Sequence, residues 1–515
     1  MRVLIVRPPK YLWPYMNEQD NYLLPQALVY LGAAVRERGH DVVLLDAMPL
    51  KMGWASLASV IRDLQPDVVC AGDSETMYQH ESGRVFQVAK EIDPRIFTIA
   101  GGCHFSHLAE HAFAHYPIDA IVRGEGEITL TELLSTLESD GDVATVAGLA
   151  LPGESGAVRF TGHRPLIDDL DSLPFPAYDL MPMQKYGTAR YLFSPGGVTM
   201  HASRGCTDNC DYCACWLQMS RRSGEPSAEV LHPFYRRRSV KPVVDEMEIL
   251  RRRYDKSCIV FVDDTFNIDP SWQDAFAEEK LGRGLDTVWF AFMRADFLRR
   301  DEESGLFDKL IRAGLTHICV GMERADDDEL AAMHKHNMDV RRNTETIHRL
   351  RRKYPKLFLQ TTFIVGTRND SHQTLDRLMD YVQDLDPDYP AFHPLTPVPG
   401  TETWRQAQAN GWLEITDFAR YDWMTPVMGT DHLTREELEY KIWEMNKNYM
   451  NPWRVARGLF SRHRYRRRMY VWWLLVSVNV SLDFVLDRVL PSRSIRRKTQ
   501  LSQYVGMIKP DWYDH

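Results

Sequence analysis

Four of the eight cysteines of the chain lie in one short stretch, RGCTDNCDYCACW at 204–216. Cys206, Cys210 and Cys213 have the spacing C-x3-C-x2-C. Three thiolates can hold three irons of a cubane 4Fe–4S cluster and leave the fourth iron open to a substrate, whereas a cluster that only transfers electrons usually takes four cysteines. The alternative is a structural zinc site with Cys215 as the fourth ligand, although such sites favour well-separated CxxC pairs.

The cysteine stretch follows the first of six short apolar runs that alternate with helical patterns. These runs are VTMHA (198–202), CIVFV (258–262), VWFAF (288–292), HICVG (317–321), FLQTTFIVG (358–366) and YPAFHP (389–394). An alternation of strand and helix about every 30 residues predicts an α/β unit, an open or partial (βα)6 barrel. Such barrels carry their chemistry at the carboxyl ends of the strands, where this sequence has its cysteines.

A second alternation occupies residues 1–140, with β-rich runs at 2–6, 41–45, 67–71, 96–100 and 118–122. Continuous apolar strands separated by helices predict a parallel sheet covered on both faces, which is a doubly wound, Rossmann-like domain. Ligands of such domains lie beyond the carboxyl ends of the strands, where the chain has Gly101-Gly102 and Gly124-Glu125. Tight strand-to-helix turns would also explain these glycines. The first strand is not followed by GxGxxG, which disfavours a dinucleotide.

The composition is that of a multidomain globular protein, with 515 residues, 44% of them hydrophobic and 26% charged. A net charge of -9 argues against a nucleic-acid binder. Eight cysteines are too few for a disulfide scaffold, and we expect Cys70, Cys258 and Cys319 to be core residues. The first residues lack the long apolar region of a signal peptide, so we expect a cytoplasmic protein.

These patterns predict four regions along the chain. Residues 1–140 form the doubly wound domain, 141–197 a linker rich in Gly, Pro and Asp, 198–420 the partial barrel and 421–515 a helical C-terminal region.

The CxxxCxxC loop after a first barrel strand resembles the signature of the radical S-adenosylmethionine (radical SAM) superfamily. With a doubly wound domain and a linker before it, the chain is similar to the cobalamin-binding (class B) radical SAM enzymes over nearly its whole length. The branch it resembles most holds the anaerobic magnesium-protoporphyrin IX monomethyl ester cyclase and the carbon and phosphorus methylases. VVDEMEIL, VRGEGE (122–127) and YDWMTPVMGTDHLTREELE (421–439) carry that likeness.

The resemblance implies three cofactors, namely a 4Fe–4S cluster, S-adenosylmethionine and cobalamin. The cluster would be held by Cys206, Cys210 and Cys213. The residues implied in S-adenosylmethionine binding stand at strand ends and are Asp263, Asp264, Gly321, Glu323, Gly366 and His393. Those implied in cobalamin binding are Gly101, Gly102, Gly124 and Glu125.

One motif of many corrinoid proteins is missing from the sequence, the D-x-H-x-x-G that donates a histidine to cobalt. The nearest string, YQHESG at 78–83, lacks the aspartate. We therefore do not expect histidine ligation by that route. His80, His104 and His107 stay open as corrin neighbours, with surface loop histidines as the favoured alternative.

The resemblance implies a reaction in which an adenosyl radical abstracts hydrogen from an unactivated carbon and methylcobalamin delivers a methyl group. Oxidative cyclisation with the same cofactors is the alternative, and a non-enzymatic corrinoid or redox sensor is a second. The sensor would need a partner-binding or DNA-reading module, and no helix-turn-helix pattern is evident. An electron donor such as flavodoxin or ferredoxin is implied as a partner.

The C-terminal segment 461–498 brackets an apolar run with two basic clusters. The run Val471–Leu482 is too short to cross a bilayer, so in one interpretation it would lie at the membrane interface as a peripheral contact, with Trp472 and Trp473 at the boundary. Such a contact would fit a hydrophobic substrate, a polycyclic lipid or a tetrapyrrole. The favoured interpretation is a helix packed on the barrel with solvated arginines.

Overall fold

The structure is a computed structural model that describes residues 1–9, 23–73, 75–187, 195–225 and 228–490. The chain forms two compact units. The first comprises Met1–Thr188, Leu217–His232 and Val476–His515, and the second comprises Ala189–Trp216 and Pro233–Leu475. The boundaries of the four regions given above remain a prediction.

The first unit is built on a seven-stranded sheet. Its strands are β1 Arg2–Arg7, β2 Asp41–Asp46, β3 Val68–Asp73, β4 Phe97–Gly102, β5 Ala120–Val122, β6 Leu149–Pro152 and β7 Val158–Phe160. Its helices are α1 Gln26–Glu37, α2 Trp54–Leu64, α3 Gln79–Ile92, α4 Cys103–His107, α5 Ala109–His115 and α6 Gly126–Glu138. The strand order is β2-β1-β3-β4-β5-β6-β7, and β1 to β5 are parallel, which confirms the doubly wound fold.

Two strands of this sheet lie in the predicted linker. β6 pairs antiparallel with β5, and β7 pairs antiparallel with β6. Thr161 reinforces the pairing because its hydroxyl accepts a hydrogen bond from the Leu149 N–H at 2.8 Å. Residues 149–160 of the predicted linker therefore extend the first sheet, while 188–194 lie outside the described residues.

The second unit contains the six predicted strands as one parallel sheet, β8 Gly197–Met200, β13 Cys258–Phe261, β14 Val288–Arg294, β15 Leu315–Glu323, β16 Phe358–Val365 and β17 Tyr389–Pro394. The sheet order is β17-β16-β15-β14-β13-β8, so neighbours in the sheet follow one another along the chain. Cys258 and Cys319 are 3% exposed, and in the first unit Cys70 is 6% exposed, which confirms them as core residues.

The helices of the partial barrel alternate with its strands. They are α8 Val240–Tyr254, α9 Pro270–Gly282, α10 Ala295–Glu303, α11 Leu306–Arg312, α12 Asp327–Ala332, α13 Val340–Lys353, α14 His372–Leu385 and α15 Glu402–Ala409. The segment after the cysteines holds α7 Cys215–Gln218 and the hairpin β10 Arg221–Ser223 and β11 Val230–His232. β9 Ser203–Arg204 pairs antiparallel with β12 Arg236–Arg237.

The C-terminal region is helical, with α16 Arg435–Tyr449, α17 Pro452–Leu459 and α18 Arg464–Val489. α16 begins with a capping box between Thr434 and Glu437, as the string TREE suggests. The predicted helical region continues to 515, but 491–515 lie outside the described residues.

The last helix begins as a packed helix and continues as an exposed one. Tyr465 and Met469 contact Phe358, and the Tyr465 hydroxyl is 2.7 Å from Nδ1 of His317. Trp472 is 6% exposed, so its predicted place at a membrane boundary is wrong, and the side chain of Trp473 lies outside the described part of the structure. Among the side chains that the structure describes further along, six apolar ones are exposed on the helix, and we call them the apolar stripe: Leu474, Leu475, Val478, Leu482, Val485 and Val489. Within the described part of the chain, the structure contains no helix long and apolar enough to cross a membrane.

Candidate active site

The three cysteines lie on the loop that leaves β9, next to the carboxyl end of β8. Gly205 has a φ of +85°, a conformation that suits glycine and turns the chain into the loop. Cys210 is 8% exposed, and Cys206 and Cys213 are partly buried. The Cys206 Sγ lies 3.7 Å from the hydroxyl of Thr265.

Burial and mutual charge govern the three thiols. Burial raises the pKa of Cys206, and it raises that of Cys210 to about 12. Hydrogen bonding from Cys215 is the main cause that lowers the pKa of Cys213. The nearby Cys213 also raises the pKa of both Cys206 and Cys210. The positive charge of Arg294 lowers the pKa of Cys206, and that of Lys335 lowers the pKa of Cys210, but neither outweighs burial. The loop therefore collects three thiols with nearby positive charge.

The loop is tied to the rest of the second unit on both sides. Arg294, at the end of β14, pairs with Asp208 of the loop and also with Asp296 at 2.9 Å. His334 Nδ1 is 2.6 Å from the carboxylate of Asp211. The Trp216 Nε1–H donates to the carbonyl of Cys210 at 3.1 Å. The thiols are thus held on a fixed backbone, which cluster binding requires.

The donor set fits a three-cysteine cluster. Among the described residues, no group of three or more His, Cys, Asp and Glu side chains is arranged to hold a metal ion. In a cubane cluster each thiolate binds a different iron, so the three Sγ atoms need not converge on one position.

The two adjacent aspartates after β13 have different surroundings. Asp263 is 1% exposed and accepts hydrogen bonds from the Ala202 N–H at 3.1 Å and the Ser203 hydroxyl at 2.5 Å. Asp264 accepts from the backbone of Gly205, and its charge reaches the cysteines Cys206 and Cys213. Burial raises the pKa of Asp263 to about 7 and that of Asp264 to about 6. Asp263 thus fixes the end of β8, while Asp264 faces the loop.

Glu323 ends β15 in a strained conformation, with a φ of +61° at a break in the strand register. Its carboxylate is 2.7 Å from the ammonium of Lys335 and 3.3 Å from the hydroxyl of Thr362. Lys335 also donates to the carbonyl of Gly321 at 3.0 Å. The Glu323 and Lys335 side chains are 10% and 7% exposed, and the charge of Lys335 reaches Cys210. This buried ion pair therefore lies beside the cysteine loop.

Of the two remaining predicted residues, His393 lies near the Glu323–Lys335 ion pair and Gly366 packs against a helix. Burial lowers the pKa of His393, on β17, and the negative charge of Glu323 opposes this shift. Its Nδ1 is 3.2 Å from the Trp423 carbonyl. Gly366 has a φ of +89°, and a Cβ there would stand 2.7 Å from the Leu438 side chain. Helix packing therefore explains Gly366.

A buried clamp fixes the ends of β15 and β16. Arg324 and Asp370 are each 1% exposed and form two hydrogen bonds, Nη2 to Oδ1 at 2.6 Å and Nη1 to Oδ2 at 3.1 Å. Arg324 also donates to the carbonyl of Ile364 at 2.9 Å. Oδ2 of Asp370 accepts the N–H of Gly366 at 2.8 Å and of Thr367 at 3.0 Å.

In the first unit, the predicted cobalamin-binding glycines lie at two strand ends. Gly101 and Gly102 end β4, and Gly102 is the N-cap of α4 with a φ of +93°. A Cβ on Gly72 of β3 would stand 2.1 Å from the Gly101 carbonyl oxygen, so the two strand ends approach closely. Gly124 has a φ of +81°, and the Glu125 carboxylate accepts the Ile167 N–H at 2.8 Å. Glu125 therefore holds the chain at 167.

Two buried hydroxyls, that of Thr76 just before α3 and that of Ser82 in its first turn, have no hydrogen-bond partner within the described residues. They and the open glycine backbone at the strand ends fit a ligand rich in hydrogen-bonding groups, as cobalamin is.

His80, His104 and His107 are not in surface loops, and that prediction is wrong. His104 and His107 lie on α4, where His104 is 1% exposed, and His80 lies on α3. Burial lowers the pKa of His104 and of His107 to about 3.

Sequence reasoning missed several residues of the site. Lys335, Thr265 and Arg294 carry no motif that marks them, because only the fold brings them to the cysteine loop. His334 is missed for the same reason. Asp208 stands in the loop itself, but its partner Arg294 comes from β14 and cannot be read from the local sequence.

Comparisons with known proteins agree with this architecture. Residues 13–134 match the B12 binding domain model, and residues 200–382 match the radical SAM superfamily model. An uncharacterized methyltransferase of Pyrococcus horikoshii is 30% identical over 442 residues, which are 85% of this chain and 90% of the relative. The anaerobic magnesium-protoporphyrin IX monomethyl ester cyclase of Cereibacter sphaeroides is 31% identical over 459 residues, 86% of this chain and 70% of the relative.

Among solved structures, the radical SAM methyltransferase TsrM from Kitasatospora setae, with cobalamin and a 4Fe–4S cluster bound, has a TM-score of 0.68 at 17% identity. The match covers 93% of this chain and 99% of TsrM and shows a shared fold. Together with the two domain matches and the relatives at 30% and 31% identity, it confirms the prediction made from the cysteine motif. The chain belongs to the cobalamin-binding radical S-adenosylmethionine enzymes.

Proposed function

We propose that the chain methylates an unactivated carbon of a hydrophobic small molecule, a polycyclic lipid or a tetrapyrrole. The observation that carries the proposal is the loop after β9, where Cys206, Cys210 and Cys213 lie together beside the buried Glu323–Lys335 pair. A methyltransferase among the relatives at 30% identity supports the reaction class.

The cofactors of this family are a 4Fe–4S cluster, S-adenosylmethionine and cobalamin. When bound, they supply one-electron chemistry for hydrogen abstraction and a transferable methyl group, neither of which protein side chains provide.

In our proposal, the residues of the chain bind and orient these groups. The three loop cysteines hold the cluster, and Asp264 faces the same loop. Glu323 and Lys335 carry opposite charges within 2.7 Å of each other, so they match the ammonium and carboxylate of the methionine moiety. His393, close to Glu323, lines the same edge of the sheet.

The apolar stripe on α18 supports a hydrophobic substrate drawn from a membrane surface. The apolar side chains recur every three or four residues, as on one helix face, and Arg462, Arg464 and Arg467 before them are exposed. Basic residues near an anionic membrane contribute about 1 kcal/mol each. The second basic cluster of the predicted contact, at 493–498, lies outside the described residues.

Vesicle flotation tests this contact. We expect the chain to float with phosphatidylserine-containing vesicles and the Leu482→Glu, Val485→Glu variant to stay in solution. Equal flotation of both proteins contradicts the contact.

Anaerobic turnover with methyl-deuterated S-adenosylmethionine tests the reaction. The protein is reconstituted with its cluster and cobalamin, and reduced flavodoxin or ferredoxin supplies electrons. The masses of the products formed from candidate lipids and tetrapyrroles are then measured by mass spectrometry. Label in the product supports methylation. Failure to form deoxyadenosine with every candidate, in protein of confirmed cofactor content, argues against an enzyme.

The second candidate function is oxidative cyclisation, which the 31% identity to the Cereibacter sphaeroides cyclase favours. In the same assay, deoxyadenosine together with an unlabelled and oxidised tetrapyrrole supports it.

A further inference from the structure

In the first unit, two arginines converge on one carboxylate. Arg123 follows β5, Arg222 lies on β10, and Glu229 directly precedes β11. Nη2 of Arg123 is 2.9 Å from Oε2 of Glu229, and Nη1 of Arg222 donates to Oε1 at 2.5 Å. The Arg123, Arg222 and Glu229 side chains are 7%, 7% and 13% exposed. Two guanidiniums and one carboxylate are thus buried together.

This cluster has unused hydrogen-bonding capacity. Within the described residues, Nη2 of Arg222 and Nε2 of His107 are buried without a hydrogen-bond partner. Gly124 adds open space, because it has no side chain and Arg222 Nε lies 3.9 Å from where a Cβ would stand. Burial first, and the charge of Arg222 second, lower the pKa of His107 to about 3, so its imidazole adds no charge. A buried guanidinium with an unpaired N–H is costly unless a ligand completes it.

We propose that Arg222, supported by Arg123, binds the phosphodiester of the nucleotide tail of cobalamin. The cluster lies at the carboxyl end of β5, the edge at which doubly wound domains take their ligands. The phosphodiester carries a negative charge that the unpaired Nη2 of Arg222 can bind, and the planar guanidinium fork matches phosphate oxygens. This inference rests on the proposed function in taking cobalamin as the ligand of the first unit.

Binding of two corrinoids to the full chain tests the proposal without turnover. Hydroxocobalamin has the phosphodiester and nucleotide, and cobinamide lacks both. Equilibrium dialysis with absorbance detection gives both dissociation constants for the wild type and three variants. Arg222→Gln removes the charge, and Arg222→Lys keeps it. Arg221→Gln is the matched control, because Arg221 is the neighbouring residue and its side chain is 59% exposed.

We expect Arg222→Gln to weaken hydroxocobalamin binding by about tenfold or more, as loss of a charge-assisted hydrogen bond does, and to leave cobinamide binding unchanged. Arg222→Lys should recover part of the loss, and Arg221→Gln should bind both corrinoids like the wild type. Equal weakening of both corrinoids by Arg222→Gln, or of neither, overturns the proposal. A wild type that binds neither corrinoid contradicts the proposed function itself, which keeps the two failures distinct.

Discussion

The buried clamp between Arg324 and Asp370 allows a stability effect to be worked out atom by atom. In Asp370→Asn the shape is kept, and Asn can turn its oxygen toward the N–H groups of Gly366 and Thr367. Its NH2 then takes the place of Oδ1 and faces Nη2 of Arg324, where the wild type has a hydrogen bond of 2.6 Å. One charge-assisted acceptor becomes a donor, and the guanidinium keeps only the counter-charge of Glu329, whose carboxylate lies 2.7 Å from Nε and is 34% exposed.

The expected cost is about 3 kcal/mol, since hydrogen bonds to charged groups contribute about 1.5–3 kcal/mol and removing one partner of a buried pair costs about 3–5 kcal/mol. Each kcal/mol lowers the melting temperature of a domain of this size by about 2–4 °C, so we expect a decrease of about 6–12 °C. Anaerobic differential scanning calorimetry of the apoprotein measures it.

The matched control is Asp384→Asn, the same change on an α14 side chain that is 68% exposed. Surface substitutions of this kind stay within about 0.5 kcal/mol, so its melting temperature should match the wild type. A decrease for Asp370→Asn no larger than that of the control would refute the reasoning.

Three further predictions concern separate parts of the chain. Cys213→Ala should lower the iron bound after anaerobic reconstitution to background, whereas Cys215→Ala should keep it, and an equal loss in both would favour a four-cysteine site. Gly72→Ala should destabilise the first unit and weaken corrinoid binding, because its Cβ would stand 2.1 Å from a backbone oxygen, while Gly162→Ala, with open space around it, should change neither. Asp386→Asn should lower the melting temperature at pH 7 by about 2–8 °C, a cost of about 1–2 kcal/mol, because three arginines surround this carboxylate.

The Asp386 effect has a defined pH dependence. Burial alone would raise the pKa of this carboxyl, but the arginines outweigh it and the pKa is lowered. A lowered pKa stabilises the fold above the unfolded value of about 3.9, and that stability is lost as the pH falls through the folded value. The difference between wild type and Asp386→Asn should therefore shrink below about pH 4. A difference that stays constant from pH 7 to pH 3 would contradict this account.

The strands of both sheets could be predicted because they are buried on both faces and therefore appear as continuous apolar runs. β1 shows this pattern, since Val3, Leu4, Ile5 and Val6 are all buried. β6 and β7 were missed because LALP and VRF are short and contain proline and arginine. A strand of three or four residues has no periodicity that distinguishes it from a turn.

The cysteine loop could be predicted because its chemistry depends on local spacing, whereas its partners depend on the fold. Asp263 and Asp264 are indistinguishable in sequence. In the structure, however, Asp263 accepts a hydrogen bond from the Ala202 N–H after β8, whereas Asp264 accepts one from the Gly205 backbone and faces the cysteine loop. Lys335 reaches Glu323 only because α12 returns the chain to the end of β15. Burial of His104 was missed because a single histidine carries no pattern.

The first unit is discontinuous along the chain, since Leu217–His232 returns to it after the cysteine loop. During synthesis, the cysteine loop is therefore complete before the β10–β11 hairpin of the first unit has been made. Expression of residues 1–188 alone would leave Arg123 without the carboxylate of Glu229. A useful truncation has to carry the β10–β11 hairpin, for instance grafted through a short glycine-rich connection.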